Sequence, residues 1–166
     1  MATAPDRICW DACSWIAFIR EEKIVEDGID RFTRCKSVLE QAKKGKIEVV
    51  TSALCLVEVC KNKDLKDFDP EKLADFFEND YIMLVGLDKV VGELARKFMM
   101  SGLPGLKPPD ACHLATAAMV PGVRELHSFD QGLLDLSNKV NKVDGTPLKI
   151  CFPDVGGPPP PLLRAD

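Results

Sequence analysis

The sequence lacks the patterns that mark membrane-spanning, secreted and zinc-ribbon proteins. None of its apolar runs reaches the roughly 20 residues that a membrane-spanning helix needs. Its first residues, MATAPDR, lack the basic and then apolar regions of a signal peptide, so we expect a cytoplasmic protein with no membrane partner. The seven cysteines include no CxxC pair, and most lie in apolar segments, where free cysteine behaves as a small buried hydrophobe. We therefore expect neither a disulfide framework nor a zinc ribbon.

Two common catalytic motifs and a strongly basic composition are also missing. There is no GxSxG nucleophile elbow and no glycine-rich loop of the kind that cradles phosphates. The net charge is −4, whereas proteins that bind nucleic acid without sequence preference are usually basic. Net charge is not local charge, however, and several lysines cluster: Lys43, Lys44, Lys46, Lys61, Lys63 and Lys66. The composition therefore counts only mildly against a nucleic-acid substrate.

The hydrophobic pattern alternates strand-like and helix-like segments over a chain of 166 residues. It predicts strands at 7–10, 47–50, 81–85, 123–127 and 148–152, and helices at 14–20, 29–44, 53–61, 70–78, 89–100, 110–119 and 133–139. Such alternation is typical of an α/β protein with three α/β/α layers and a central, mainly parallel sheet. We expect a single domain over residues 1–153, followed at 154–166 by a proline-rich tail that is either flexible or a docking arm.

Four acidic residues each end or interrupt an apolar stretch in a different segment of the chain. Asp11 lies in WDACSW, Glu58 in SALCLVEVC, Asp110 in PPDACHLATAAM and Asp130 in HSFDQGL. An apolar setting raises the free energy of a carboxylate unless a partner compensates its charge. Asp11 and Asp130 also follow predicted strands, whose carboxyl ends border the ligand site of parallel sheets. The set indicates a divalent cation held by carboxylate oxygens, and hence hydrolysis of a phosphate ester.

Each acid taken alone has a simpler explanation. Asp110 alone is more typical of a helix N-cap, and Asp130 alone is more typical of a turn. Glu58 alone can pair with Lys61, three residues later on its predicted helix. Only the ordered set of four distinguishes a functional site from these local roles.

The same segments resemble those of the PIN-domain nucleases, and most of all the toxin ribonucleases of VapBC-type toxin–antitoxin pairs. The strand followed by DACSWIAF is similar to the start of that family, and TSALCLVEVCKN is similar to its Ser-capped helix with an internal Glu. SGLPGLKPPDACHLATAAM resembles its Asp-Ala-x-His-Leu-Ala segment, the most specific match, and ELHSFDQGL resembles its strand and Asp segment. The likeness spans residues 7–152 and has no counterpart for the tail. Cys13 departs from the Ser, Thr or Asn that is common at its position.

The resemblance implies one acidic site that holds one or two Mg²⁺ or Mn²⁺ ions. Asp11 and Asp110 are expected to be the main direct ligands, with Asp130 binding directly or through water. Glu58 is expected to bind metal through water or to orient the nucleophile. Around these catalytic acids, Ser128 is expected to fix Asp130 by a hydrogen bond, and Cys13 to stand beside the metal ligands.

Three further residues are candidates for contact with the substrate. Lys61 and Lys63 follow Glu58 along the same predicted helix, so they are candidates for phosphate contacts, although lysine clusters are usually solvated. His113 lies on the same helix face as Asp110, where it either contacts substrate, carries a proton, or is a partly buried helix residue with a local hydrogen bond.

The leading interpretation is a metal-dependent endoribonuclease that acts as a toxin. The resemblance implies an RNA substrate, a small antitoxin partner and a homodimer. One alternative is a nuclease of RNA maturation or decay without an antitoxin, and another is a PIN-like module that binds RNA or protein without cleaving. A phosphotransfer protein with Asp11 as nucleophile is a weaker option, because DACSW lacks the second Asp that such proteins typically carry two residues later.

Overall fold

The architecture of the protein is described by a computed structural model that covers residues 5–61 and 70–155, except for the side chains of 61 and 70–72. Its strands are β1 (Asp6–Trp10), β2 (Val25–Glu26), β3 (Ile29–Asp30), β4 (Ile47–Ser52), β5 (Ile82–Val85), β6 (Val123–His127) and β7 (Lys149–Cys151). Its helices are α1 (Ala12–Ile19), α2 (Arg31–Lys43), α3 (Cys55–Glu58), α4 (Pro70–Phe77), α5 (Lys89–Met100), α6 (Pro108–Met119) and α7 (Gln131–Leu134), with a 3₁₀ turn at Val59–Lys61.

Five of the strands form one sheet in the order β5-β4-β1-β6-β7, and every neighbouring pair is parallel. Alternate side chains of β1 enter two different layers. Ile8 and Trp10 pack with residues of α1 and α2 on one face, while Cys9 packs with Leu114 and Ala117 of α6 on the other. The predicted three-layer α/β/α fold with a parallel central sheet is therefore confirmed.

The core on the α1 side is built around two tryptophans. Trp10 and Trp15 are both fully buried, and their ring centroids lie 4.6 Å apart in an edge-to-face arrangement. The indole N–H of Trp15 donates to Thr51 Oγ1 at 3.0 Å, which satisfies its polar atom inside the core. Both tryptophans are thus core residues that join the first strand, the first helix and β4.

The predicted helix at 29–44 is wrong at its start. Ile29–Asp30 forms β3, which pairs antiparallel with β2, and the helix begins only at Arg31. Asp27 and Gly28 have φ values of +51° and +79°, the left-handed pair that a tight two-residue hairpin turn requires. Asp30 then caps α2 by accepting a hydrogen bond from the Thr33 backbone N–H at 2.9 Å.

Two other predicted helices are shorter than the hydrophobic pattern indicated. The segment predicted as a helix at 53–61 divides into α3 and the 3₁₀ turn, and the helix predicted at 133–139 is α7, which ends at Leu134. Of the predicted tail, only Asp154 and Val155 lie among the described residues. Within the described ranges, no helix is both long and apolar enough to cross a membrane.

The order of the strands creates a reversal point at the carboxyl ends of the central strands. β1 is the central strand, and the chain moves from it to β4 on one side and later to β6 on the other. Ligands of parallel sheets bind at such a reversal point, beyond the carboxyl ends of the strands. Asp11 follows β1 directly, and Ser128 to Asp130 follow β6, so these residues meet at that point.

Candidate active site

Asp11 is the most enclosed acid of the site, with only 2% of its surface exposed. It caps α1, and its Oδ1 accepts hydrogen bonds from the backbone N–H of Ser14 at 3.0 Å and the Ser14 hydroxyl at 3.1 Å. Its Oδ2 accepts a short hydrogen bond from the Ser128 hydroxyl. Burial nevertheless raises the pKa of Asp11, and the nearby His113 and the three hydrogen bonds only partly oppose that effect. The hydrogen bonds therefore orient the Asp11 carboxyl group but do not fully compensate its negative charge.

Asp130 is tied to Asp11 through a single side chain. The Ser128 hydroxyl that donates to Asp11 also accepts from the Asp130 backbone N–H at 2.9 Å. The Asp130 carboxylate caps α7 by accepting from the Leu133 N–H at 3.0 Å, and the residue is exposed. The hydrogen bond expected between Ser128 and Asp130 is thus present through the backbone, and the serine joins the loop after β6 to the end of β1.

Asp110 lies in the first turn of α6 rather than at its N-cap, because the helix begins two residues earlier, at Pro108. Its Oδ2 accepts from the Lys107 backbone N–H at 3.3 Å, and the residue is half-buried. Burial raises the pKa of Asp110, and the negative charge of Asp130 raises it further. Asp110 on α6 and Asp130 at the start of α7 are therefore close enough for the charge of one to act on the other.

Glu58 reaches the site from the end of α3, where its side chain is 13% exposed. Its partner is His113, which is 2% exposed and whose Nε2 lies 3.4 Å from each carboxylate oxygen. The hydrogen bond is made to Oε2, and it is long. Among the described residues, Glu58 Oε1 and His113 Nδ1 are buried without a hydrogen-bond partner.

Cys13 lies within electrostatic reach of all four acids. Burial raises the pKa of its thiol well above the usual range, and the charges of Asp11, Asp130, Asp110 and Glu58 all raise it further. The thiol therefore stays protonated. Ser14, one residue later, supplies two of the three hydrogen bonds to Asp11, a role not predicted from the sequence. The signal for it was present, since a helix N-cap accepts from the third residue of its helix.

The four acids suit a hard divalent cation that keeps some of its waters. Any three of them include at least one pair of ligand atoms more than 4.8 Å apart. Mg²⁺ is usually bound by only one or two carboxylates and retains several water ligands, so it does not need a closed cage of protein ligands. Acids at this spacing could hold it partly through water. Glu58 Oε1 and His113 Nδ1, which are buried and have no hydrogen-bond partner among the residues that the structure describes, are further atoms in this part of the molecule that could bind a metal or one of its waters.

A tighter group of candidate ligands lies at the end of β6 and β7. Of the residues that the structure describes, only Glu125, His127 and Cys151 bring three ligand atoms within 4.8 Å of one another. However, the Trp10 indole N–H donates to His127 Nδ1 at 3.1 Å, so the proton of the neutral ring lies on Nε2, which faces Glu125 at 2.8 Å. With both nitrogens engaged, the ring has no lone pair for a metal. We therefore interpret this group as a structural hydrogen-bond network.

Two predicted substrate contacts fall where the structure gives no side-chain position. Lys63 lies outside the described residues, and of Lys61 only the backbone, at the end of the 3₁₀ turn, is described. Their proposed phosphate contacts stay predictions. His113, by contrast, is almost completely buried beside Glu58.

Comparison with known proteins is informative at the level of three-dimensional structure. No protein-family model and no curated protein sequence matches the chain. Among solved structures, it is similar to VapC20 of Mycobacterium tuberculosis, described as a toxin that cleaves the sarcin–ricin loop. The TM-score is 0.56 at 16% sequence identity, and the match covers 75% of this chain and 90% of the VapC20 chain. At this identity the match concerns the fold, and the chain therefore has the PIN-like fold that its sequence motifs predict.

Proposed function

We propose that the protein is a divalent-metal-dependent endoribonuclease whose catalytic acids are Asp11, Glu58, Asp110 and Asp130. The observation that carries the proposal is how the elements that bear these acids are joined at the reversal point of a parallel sheet: the Ser128 hydroxyl bonds both the Asp11 carboxylate and the Asp130 backbone, and His113, on the helix of Asp110, contacts Glu58. All four acids also lie near enough to Cys13 for their charges to act on its thiol. Such a concentration of negative charge beside buried groups is costly unless a cation binds among them. Purely local roles as caps and turn residues do not require the four to meet.

Within this proposal, Asp11 and Asp110 are the direct ligands of Mg²⁺ or Mn²⁺, and Asp130 binds directly or through water. The bound cation would supply Lewis-acid stabilisation of the charge that develops on the phosphate during cleavage. Ser14 and Ser128 keep the Asp11 carboxylate in one orientation, so that no reorganisation is needed when the cation binds. Asp130 is the one of the four acids that is exposed, so it is the most accessible to a substrate.

The substrate we propose is structured RNA, and the physiological role is that of a toxin. The fold match supports this assignment, since VapC20 is a toxin that cleaves the sarcin–ricin loop. In the same proposal the chain forms a homodimer, is neutralised by a small antitoxin protein, and acts in the cytoplasm. Lys61 and Lys63 contact substrate phosphates, which offsets the overall charge of −4.

The deciding experiment measures cleavage of labelled structured RNAs by the purified protein with Mg²⁺, with Mn²⁺ and with chelator. We expect cleavage that requires metal and that falls by several orders of magnitude in Asp11→Asn, because the main ligand loses its charge. Asp144→Asn, in an exposed turn remote from these acids in the sequence, serves as the control and keeps full activity.

Three outcomes contradict parts of the proposal. Cleavage that persists in Asp11→Asn shows that the site assignment is wrong or that a contaminating nuclease is present. No cleavage of any RNA by a folded protein that binds Mn²⁺ supports a binding module instead. Cleavage without a short neighbouring gene for a DNA-binding partner supports a nuclease of RNA maturation or decay.

A further inference from the structure

His113 makes one polar contact among the described residues, and that contact is with a proposed catalytic acid. The residue lies one helical turn after Asp110 on α6, and only 2% of it is exposed. Its Nε2 is 3.4 Å from both oxygens of Glu58, while its Nδ1 is buried and has no hydrogen-bond partner in the described part of the chain. A buried imidazole nitrogen without a hydrogen bond lowers the stability of the fold, so a histidine at this position indicates a role for the ring beside the acids.

Glu58 depends on this contact more than the other acids depend on theirs. Asp11 accepts from three donors, Asp130 caps α7, and Asp110 accepts from the backbone of Lys107. Glu58 instead extends from a four-residue helix, and within the described ranges its single hydrogen-bond partner is the His113 ring. A long, flexible side chain on so short an element has many orientations unless a partner selects one of them.

We propose that His113 is a positioning residue that holds the Glu58 carboxylate toward the other three acids. This inference rests on the proposed function and refines it. The ring donates its Nε2–H to Glu58, which ties α3 to the helix that carries Asp110. At 2% exposure the ring does not present a surface to RNA, so the residue acts through Glu58 and not by touching substrate.

The consequence is that His113 controls how well the acidic site binds metal. Hydrogen-bond partners of metal-binding carboxylates typically contribute tenfold to a hundredfold in metal affinity. Loss of the donor leaves Glu58 free to turn away, which weakens binding of the cation and lowers kcat. The KM for RNA stays the same, because the ring is not part of the substrate surface.

Two substitutions at position 113 separate the Nε2 donor from the rest of the ring. His113→Gln carries an amide N–H2 at nearly the reach of Nε2, whereas the shorter amide of His113→Asn stands nearer the position of Nδ1 and cannot reach Glu58. Mn²⁺ affinity of the full chain, measured by electron paramagnetic resonance without RNA, is the primary readout. We expect a loss of roughly tenfold to a hundredfold in His113→Asn and recovery to within about threefold of the native value in His113→Gln.

The same two substitutions in a Glu58→Gln background test whether His113 acts through Glu58. We expect no further loss of Mn²⁺ affinity there, because the group that His113 orients has lost its charge. A further loss in that background, or equal Mn²⁺ affinity of native protein, His113→Asn and His113→Gln, overturns the inference. Absence of Mn²⁺ binding in the native protein overturns the proposed function itself, so the two failures are distinguishable.

A folding defect in His113→Asn does not remove the test. The chain has two histidines, so ¹⁵N signals of the two rings can be compared directly in otherwise native protein. Glu58→Gln is expected to shift the ring signals of His113 and to leave those of His127, which bonds Trp10 and Glu125 instead. Unchanged His113 signals would show that the contact does not exist in solution.

Discussion

At the scale of single residues, Asp11 holds a charge that the folded protein supports poorly without a cation. Burial raises the pKa of Asp11, whereas the pKa of Glu125, another buried acid, in β6, is lowered. Burial opposes the Glu125 charge as well, but the hydrogen bond from His127 and the nearby Lys149 and Arg124 lower its pKa to about 2. Neighbouring side chains thus compensate the charge of Glu125, whereas they compensate the charge of Asp11 only in part.

The raised pKa of Asp11 gives a prediction about stability and pH in chelator. Between the ordinary Asp value of about 3.9 and the higher folded value, the folded state keeps a proton that the unfolded state has lost. The Asp11 contribution to stability therefore falls as pH rises through that window. We expect the free energy of unfolding of Asp11→Asn, minus that of the native protein, to increase with pH above about 4. Urea denaturation at several pH values measures it.

Asp144→Asn provides a control of opposite sign for this prediction. Hydrogen bonds from Thr146 lower the pKa of Asp144, so its contribution is gained as pH rises through the usual Asp range. A pH-independent difference for Asp11→Asn, alongside the expected trend in the control, would show that the folded protein already compensates the Asp11 charge.

The four candidate acids stand out in the sequence, but most of the contacts that their side chains make in the structure do not. An Asp or Glu inside an apolar segment is visible in a single sequence, and Ser14 follows Asp11 at capping distance. The contact of His113 with Glu58 spans 55 residues and that of Ser128 with Asp11 spans 117. Neither pair shares an element or a local pattern, so only the folded chain reveals which residue each side chain meets.

At the scale of elements, the short ones matter most to the site and were the hardest to predict. β2 and β3 have two residues each, too few to show the alternation that marks a strand, and the Asp-Gly pair of their turn was the one local signal. The longer helices α5 and α6 and the strand β6 agree with the pattern to within about two residues. α3 and α7 have four residues each and hold Glu58 and the loop of Asp130.

Gly132 in α7 offers a test of how closely that helix fits around Asp130. A Cβ at this position would lie 3.0 Å from Asp130 Oδ1, and the backbone there is not in the left-handed region. Ala favours helix by roughly 1 kcal/mol over Gly, but the displaced carboxylate also caps α7, so Gly132→Ala should change the melting temperature little. We expect Mn²⁺ affinity and cleavage to fall several-fold because the carboxylate must move.

The control for this substitution is Gly92→Ala in α5, where a Cβ has no neighbour within 4 Å. It should raise the melting temperature slightly, because Ala favours helix over Gly, and leave cleavage unchanged. Unchanged cleavage in Gly132→Ala as well would mean that Asp130 can shift without effect, and hence that it does not bind the cation directly.

At the scale of the whole molecule, the fold was predictable because each long strand or helix has a recognisable hydrophobic pattern of its own. Five buried, β-branched or aromatic segments separated by helices leave a parallel sheet as the simplest arrangement. The order of the strands was not predictable, because the choice between neighbours depends on side-chain packing between distant segments. That order decides which acids meet.

A cation that joins several elements should stabilise the entire fold. At a Mg²⁺ concentration of one hundred times Kd the gain is about 2.7 kcal/mol, which corresponds to roughly 5–10 °C in melting temperature for a domain of this size. Thermal denaturation with Mg²⁺ and with chelator measures the shift. We expect Asp11→Asn to lose it and Asp144→Asn to retain it, and an equal shift in Asp11→Asn would locate the bound cation elsewhere.

The central position of β1 has a consequence for how the protein is made. The first strand pairs with β4 and β6, and its residues contact partners 41 and 117 positions later in the chain. Such long-range pairing delays folding until the distant partner is available. During synthesis, the N-terminal strand therefore leaves the ribosome long before the segment that completes its pairing. A nascent chain that ends before Ser128 lacks the hydroxyl that joins Asp11 to the Asp130 backbone, so this part of the proposed site cannot form until the loop after β6 has emerged.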